Sequence, residues 1–127
     1  MPRTILIVDD SASCLETLEF TLMPLANVQV RTASSARDAL TLLDNGSSAI
    51  DMLITDLDLR RMDGFELIEH VRRQPRFHAL PLVVISGDCD PRTPERLRRL
   101  GVNSHIAKPY SPSEVRQILE QFLNVRE

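Results

Sequence analysis

The stretch LITDLDLRRMDGF, Leu53–Phe65, is where the reading of this chain turns. A short apolar run ends on Thr55, and Asp56, Asp58 and Asp63 follow, with Gly64 directly behind the last. Acids at the end of a strand mark a site. Asp-x-Asp after a hydrophobic strand fits a phosphatase nucleophile with its acid partner, a phosphate-accepting switch, or a polar turn.

Outward from this stretch the chain alternates. Ile5–Val8 is a continuous apolar run and reads as a buried strand. Val28–Val30, Met52–Ile54, Leu82–Ile85 and His105–Ala107 read as four more strands. Between them lie helical patterns. Leu15, Leu18 and Leu22 predict a helix that stops before Pro24, with Ser13 and Glu16 as a capping box. Ala36, Ala39, Leu40 and Leu43 predict an amphipathic helix closed by Asn45-Gly46. Phe65, Leu67, Ile68 and Val71 predict a third, ended by Pro75. Glu95–Leu100 is a short fourth, with Pro94 in its first turn and Gly101 at its end. Val115, Ile118, Leu119 and Phe122 form the last, preceded by Pro112. Five strands alternating with five helices predict parallel βαβ units, a doubly wound α/β sheet covered on both faces. No linker, repeat or low-complexity segment interrupts residues 1–127, so one domain without an appended output domain is expected.

Composition narrows the classes. A chain of 127 residues, 43% hydrophobic and 26% charged, suits one globular domain. The net charge of -3 does not attract nucleic acid, and no helix-turn-helix candidate exists beyond the helices of the fold. No apolar run approaches the roughly 20 residues that span a bilayer. Nothing resembles a signal peptide, since Arg3 leads only into a short run that ends in acids. Cys14 and Cys89 lack metal-ligand spacing, which predicts free thiols in a reducing cytoplasm. With no Trp and one Tyr, the core must be aliphatic.

In an open doubly wound sheet, ligands bind at the carboxyl ends of the strands. The first strand ends in Asp9-Asp10, the third delivers Asp56, the fourth ends in Ser86-Gly87 and the fifth in Lys108-Pro109. The second offers only Arg31-Thr32. Three converging carboxylates repel unless a cation sits among them. Hard oxygen donors without Cys or His select Mg2+, which keeps waters and leaves room for phosphate oxygens. A carboxylate can attack phosphorus to give an aspartyl phosphate. Lys108 would balance the added charge, Ser86 would donate to a phosphoryl oxygen, and Gly87 leaves room beside it.

Each piece also has a plainer reading. Asp9-Asp10 alone is a solvated strand end or a helix cap, and Lys108-Pro109 alone is a loop. Asp63 with Gly64 forms the turn into the third helix, Asp63 as its cap. His70 and His78 are surface residues without a metal role, and Cys89 is an inert thiol near the site. Arg92, Arg96, Arg98 and Arg99 form a solvated face around the fourth helix, or else dock an acidic partner or a dimer mate.

Together the blocks IVDD (Ile7–Asp10), TDLDLRRMDG (Thr55–Gly64), VVISG (Val83–Gly87) and AKPY (Ala107–Tyr110) resemble the CheY-like receiver domain of two-component response regulators. The resemblance runs from Ile5 to Phe122. It implies a flavodoxin-like strand order 2-1-3-4-5 and Asp56 as phosphate acceptor, served by a histidine kinase or a histidine phosphotransfer protein. It implies Mg2+ held directly by Asp10, through water by Asp9, and by Asp56 and the backbone carbonyl of Asp58. Ser86 and Lys108 would contact the phosphoryl group, and the Lys-Pro bond is often cis in the family. The output face would be the fourth helix, fifth strand and fifth helix, turned toward a downstream protein effector, in a monomer or a weak dimer formed through that face. The implied setting is the bacterial cytoplasm, without direct nucleic-acid or membrane contact. The implied role is a signalling domain whose chemistry stops at self-phosphorylation and autodephosphorylation.

Three departures stand out. Arg60 replaces a common proline, which implies a looser loop, and Arg60-Arg61 could receive the phosphodonor. His105 stands where the family often has a Tyr or Phe switch, which implies a switch that is weakened or pH-dependent. Asp58 is acidic at a variable position, and with Asp88 it flanks the path of the hydrolytic water. A rival reading takes Asp56-Leu57-Asp58 as the motif of a haloacid-dehalogenase-like phosphatase. That motif belongs on the first strand of its fold, Arg60 and Arg61 break its continuation, and Asp9-Asp10 would go unexplained. A degenerate receiver that binds partners without phosphorylation conflicts with the complete set of acids, hydroxyl and lysine. A piece cut from a larger regulator or hybrid kinase is a further alternative.

Overall fold

Alternation along each strand sorts the apolar residues into two sets. In the computed structural model, which describes residues 2–45, 49–59 and 62–124, β1 (Arg3–Val8) sends Ile5 and Ile7 to one face of the sheet and Leu6 and Val8 to the other. β3 (Met52–Thr55) divides Met52 and Ile54 from Leu53, and β4 (Leu82–Ser86) divides Val83 and Ile85 from Leu82 and Val84. With β2 (Val28–Ala33) and β5 (Ser104–Ala107), these strands form a parallel sheet of order β2-β1-β3-β4-β5. That is the order the resemblance implies. Arg60 and Arg61, the loop departures, and Gly46, expected after the second helix, lie outside the described residues.

Each face is closed by helices. α1 (Ala12–Leu22) and α5 (Pro112–Asn124) bring Leu18, Leu22, Val115 and Leu119 onto Ile7, Ile54 and Ile85. α2 (Ala36–Asp44), α3 (Gly64–Arg73) and α4 (Thr93–Arg99) bring Ala39, Leu67, Ile68 and Leu97 onto Leu6, Leu53 and Val84. Each such Leu, Ile or Val contributes about 1.5–3 kcal/mol by leaving water. No described helix is long and apolar enough to cross a membrane.

The helix ends hold two corrections. The Ser13-Glu16 capping box does not form. Asp9 Oδ1 accepts the Ser11 N–H at 2.9 Å and turns the chain early, so α1 starts at Ala12 with Ser11 as its cap, accepting the Cys14 N–H at 3.3 Å. α4 starts at Thr93, ahead of the expected Glu95, because the Thr93 hydroxyl donates to Asp88 at 3.0 Å and anchors the first turn. Elsewhere the punctuation holds. α1 stops before Pro24, and Gly101 leaves α4 with φ at +82°, a region that favours glycine. Pro112 falls inside the first turn of α5, where its missing N–H costs nothing.

Candidate functional site

The strand register builds the site. Val8 pairs with Thr55, so Asp9 and Asp56 leave β1 and β3 side by side, at the point where strand order reverses. Ser86 pairs with Ala107, and the Lys108 N–H donates to the Ser86 carbonyl at 3.0 Å. Lys108 therefore starts at the end of β5 and reaches over the end of β4. Its Nζ donates to Asp56 Oδ2 at 2.9 Å and to Asp9 Oδ2 at 3.3 Å. The Lys108–Pro109 bond that launches it is cis.

Asp56 is held from both sides. Its Oδ1 accepts the Leu57 N–H at 2.6 Å and the Asp58 N–H at 3.3 Å, while Oδ2 takes the ammonium. Only 11% of its side chain is exposed, and the ammonium pairs with it there. Burial works against the charge on Lys108, but Asp56 and then Asp9 outweigh it and push its pKa well above the ordinary lysine range. The two carboxylates favour the charged form of the group.

Ser86 is fully buried, and its Oγ accepts the Asp88 N–H at 3.0 Å. Asp88 in turn accepts from the Asp90 N–H at 2.7 Å and from Thr93. The hydroxyl is thus tied into the loop that starts α4. A Cβ on Gly87 would meet nothing within 4 Å, so the space beside Ser86 is open. His105 pairs with Val84 and shares its side of the sheet, and its Nε2 is buried with no hydrogen-bond partner. Asp10 is half-buried and Asp58 is exposed.

Asp9, Asp10 and Asp56 are hard oxygen donors on adjacent strand ends, which is the donor chemistry of Mg2+. Among the described residues no three acidic, His or Cys side chains form a ready-made metal group. Asp9 and Asp56 aim their oxygens at Lys108 and at backbone N–H groups instead. The donors fit the ion by type, and they would hold it only by turning from these partners.

Three features escaped the sequence. Gly64 donates its N–H to the Leu57 carbonyl at 2.9 Å, and a Cβ there would run into the Asp56 carbonyl oxygen and lie 2.6 Å from Leu57 Cα. The glycine lets α3 start against the backbone of the loop after β3, and the Asp-Gly pair was the available signal. The buried Thr55 hydroxyl donates to the Asp56 carbonyl at 2.8 Å. Cys14 Sγ lies 3.8 Å from Lys108 Nζ, which only the packing of α1 reveals. Asp63 caps α3 by accepting the Glu66 N–H at 2.9 Å, and His70, His78 and Cys89 are exposed. Arg92 pairs with Asp90, Arg98 pairs with Glu95, and Arg96 stacks on Phe65 at 3.7 Å.

The family model described as the response regulator receiver domain matches residues 5–120. The chain belongs to the response regulator receiver domain family. This receiver domain is 29% identical over 119 residues to a chemotaxis protein CheY homolog of Campylobacter jejuni, covering 94% of this chain and 91% of that one. Its fold matches the chemotaxis response regulator CheY4 of Vibrio cholerae with a TM-score of 0.84 at 26% identity, over 96% of this chain and 99% of the other. A response regulator receiver protein from Pseudomonas putida matches with a TM-score of 0.86 at 27% identity, over 95% and 98% of the two chains.

Proposed function

We propose that this receiver domain, residues 1–127, accepts a phosphoryl group on Asp56 from a histidine kinase or a histidine phosphotransfer protein. The observation that carries the reading is the Lys108 ammonium fixed between Asp56 and Asp9 across three strand ends. An ammonium held there stabilises the negative charge that develops on a phosphoryl group in transfer. A carboxylate oxygen of Asp56 attacks phosphorus as the P–N bond of the donor phosphohistidine breaks, and the electron pair leaves with the imidazole. Asp9, Asp10, Asp56 and the Asp58 carbonyl are the groups that would hold Mg2+, which supplies charge neutralisation at the phosphoryl oxygens. Ser86 then exchanges the Asp88 N–H for a phosphoryl oxygen, to which it donates. The freed loop shifts the start of α4, and the half-buried ring of His105, whose Nε2 has no partner, follows. This changes the population of the α4, β5 and α5 face that meets a protein effector. We assign the domain to the cytoplasm of a bacterium, with Asp58 and Asp88 setting the lifetime of the phosphate.

The test is incubation with Mg2+ and acetyl phosphate followed by intact mass. One phosphoryl group should add to the wild-type chain and none to Asp56→Asn. Equal labelling of the two chains defeats the assignment. Sustained phosphomonoester turnover, lost in Asp58→Asn, would move the protein to the phosphatase class.

A further inference from the structure

We propose that the cleft between α1 and the start of α5 binds an uncharged, largely apolar small molecule that carries one carbonyl group, held at Lys108. The cleft has a volume of about 540 Å3 and runs from Lys108 down between Cys14 and Leu18 on one side and Tyr110 and Pro112 on the other, over Ile54. That volume lies within the roughly 300–1,000 Å3 of small-molecule sites. Its wall is more apolar than the sequence suggests. Thr17 and Thr21 also line it, but their hydroxyls donate to the Ser13 and Thr17 carbonyls at 2.9 Å each. Hydroxyls satisfied along the helix leave the methyl groups to face an occupant.

The head group follows from the hydrogen bonds of the ammonium. Lys108 has three N–H donors. One meets Asp56 at 2.9 Å and one meets Asp9 at 3.3 Å. The third has Cys14 Sγ at 3.8 Å, and a thiol sulfur is a weak acceptor. Cys14 lies on the cleft wall, so an oxygen entering there becomes the better partner. In the metal-free chain Asp9 and Asp56 flank the ammonium and repel an anionic head, and the ammonium itself repels a cationic one. A neutral carbonyl accepts the third N–H without either cost. The site shares Lys108 with the phosphoryl chemistry, but ketone binding is read on the metal-free chain without a phosphodonor, so failure of one proposal is distinguishable from failure of the other.

The probe is the neutral naphthyl ketone 6-propionyl-2-(dimethylamino)naphthalene. Its emission should shift to the blue saturably with the protein. Because the occupied cleft covers Cys14, N-ethylmaleimide alkylation of Cys14 should slow about tenfold at ten times the Kd, read by peptide mass. Alkylation of the exposed Cys89, outside the cleft, should not change. The anionic dye 1-anilinonaphthalene-8-sulfonate should bind at least about tenfold more weakly, a difference of one decade in Kd. Cys14→Phe should abolish the ketone's shift. The alkylation assay uses the unaltered chain and does not depend on that variant folding. Absence of a saturable shift, equal protection of both cysteines, or equally tight binding of the sulfonate overturns the proposal.

Discussion

On the face of the sheet that carries Leu6, Leu53 and Val84, three helices close the core, and Ala36, Ala39, Leu67, Ile68 and Val71 are fully buried beneath them. On the opposite face, two helices meet Ile7, Ile54 and Ile85, and the cleft stays open between them beside Lys108. The small side chains of α1 on that side, Cys14, Thr17 and Thr21, explain the difference. One face is a sealed backing that fixes where the strand ends point. The other leaves the lysine that crosses the site reachable from below. A core packed at crystal density transmits a shift at one end, whereas a face with free volume absorbs it.

Truncation should tell the faces apart. Leu67→Ala, at a fully buried position of the sealed face, should cost about 4 kcal/mol, since it leaves a void that neighbours cannot collapse into. Urea unfolding measures this directly. Gly64→Ala should cost about 3 kcal/mol, because the new Cβ meets backbone atoms of Asp56 and Leu57 that cannot swing aside. It should also lower phosphoryl uptake by moving the acceptor loop. An unchanged midpoint would mean that α3 slides freely. Leu18→Ala, which borders the existing cleft, should cost only about 2 kcal/mol, mostly transfer free energy. If it costs as much as Leu67→Ala, the two faces are equally packed and the contrast fails.

The smallest effect lies on the exposed rim of α4. The Arg92 side chain, and then its N–H, hold the Asp90 carboxyl down at about 2. A folded-state value below the unfolded one stabilises the fold above about pH 4, and the contribution fades as pH falls toward about 2. Arg92 is exposed and Asp90 partly so, and salt should screen most of the pair. An NMR titration should find Asp90 near 2 in wild type and raised, though still below the ordinary carboxylate range, in Arg92→Ala, which keeps the backbone N–H bond. An Asp90 that titrates normally in wild type would mean that the pair does not persist.

What could be read directly from the residues was the alternation of elements and the acids, hydroxyl and lysine at the strand ends. Buried parallel strands must be apolar throughout, and the first polar residue after each run marks where it leaves the core. That local rule located Asp9, Asp56, Ser86 and Lys108 on their strand ends, and Asp63 as a cap needed only its position before an apolar helix. The partners of these groups belong to the tertiary structure. Lys108 meets Asp9 across 99 residues of chain, and Ser86 turns its Oγ to the Asp88 N–H. Asp9 takes the Ser11 N–H and thereby decides where α1 begins. Gly64 is required by a backbone contact seven residues upstream, and the cleft exists only because two helices distant in sequence leave space between them. Periodicity encodes which side chains leave water. Which donor meets which acceptor, and where space remains, depends on distances that arise only when the elements pack.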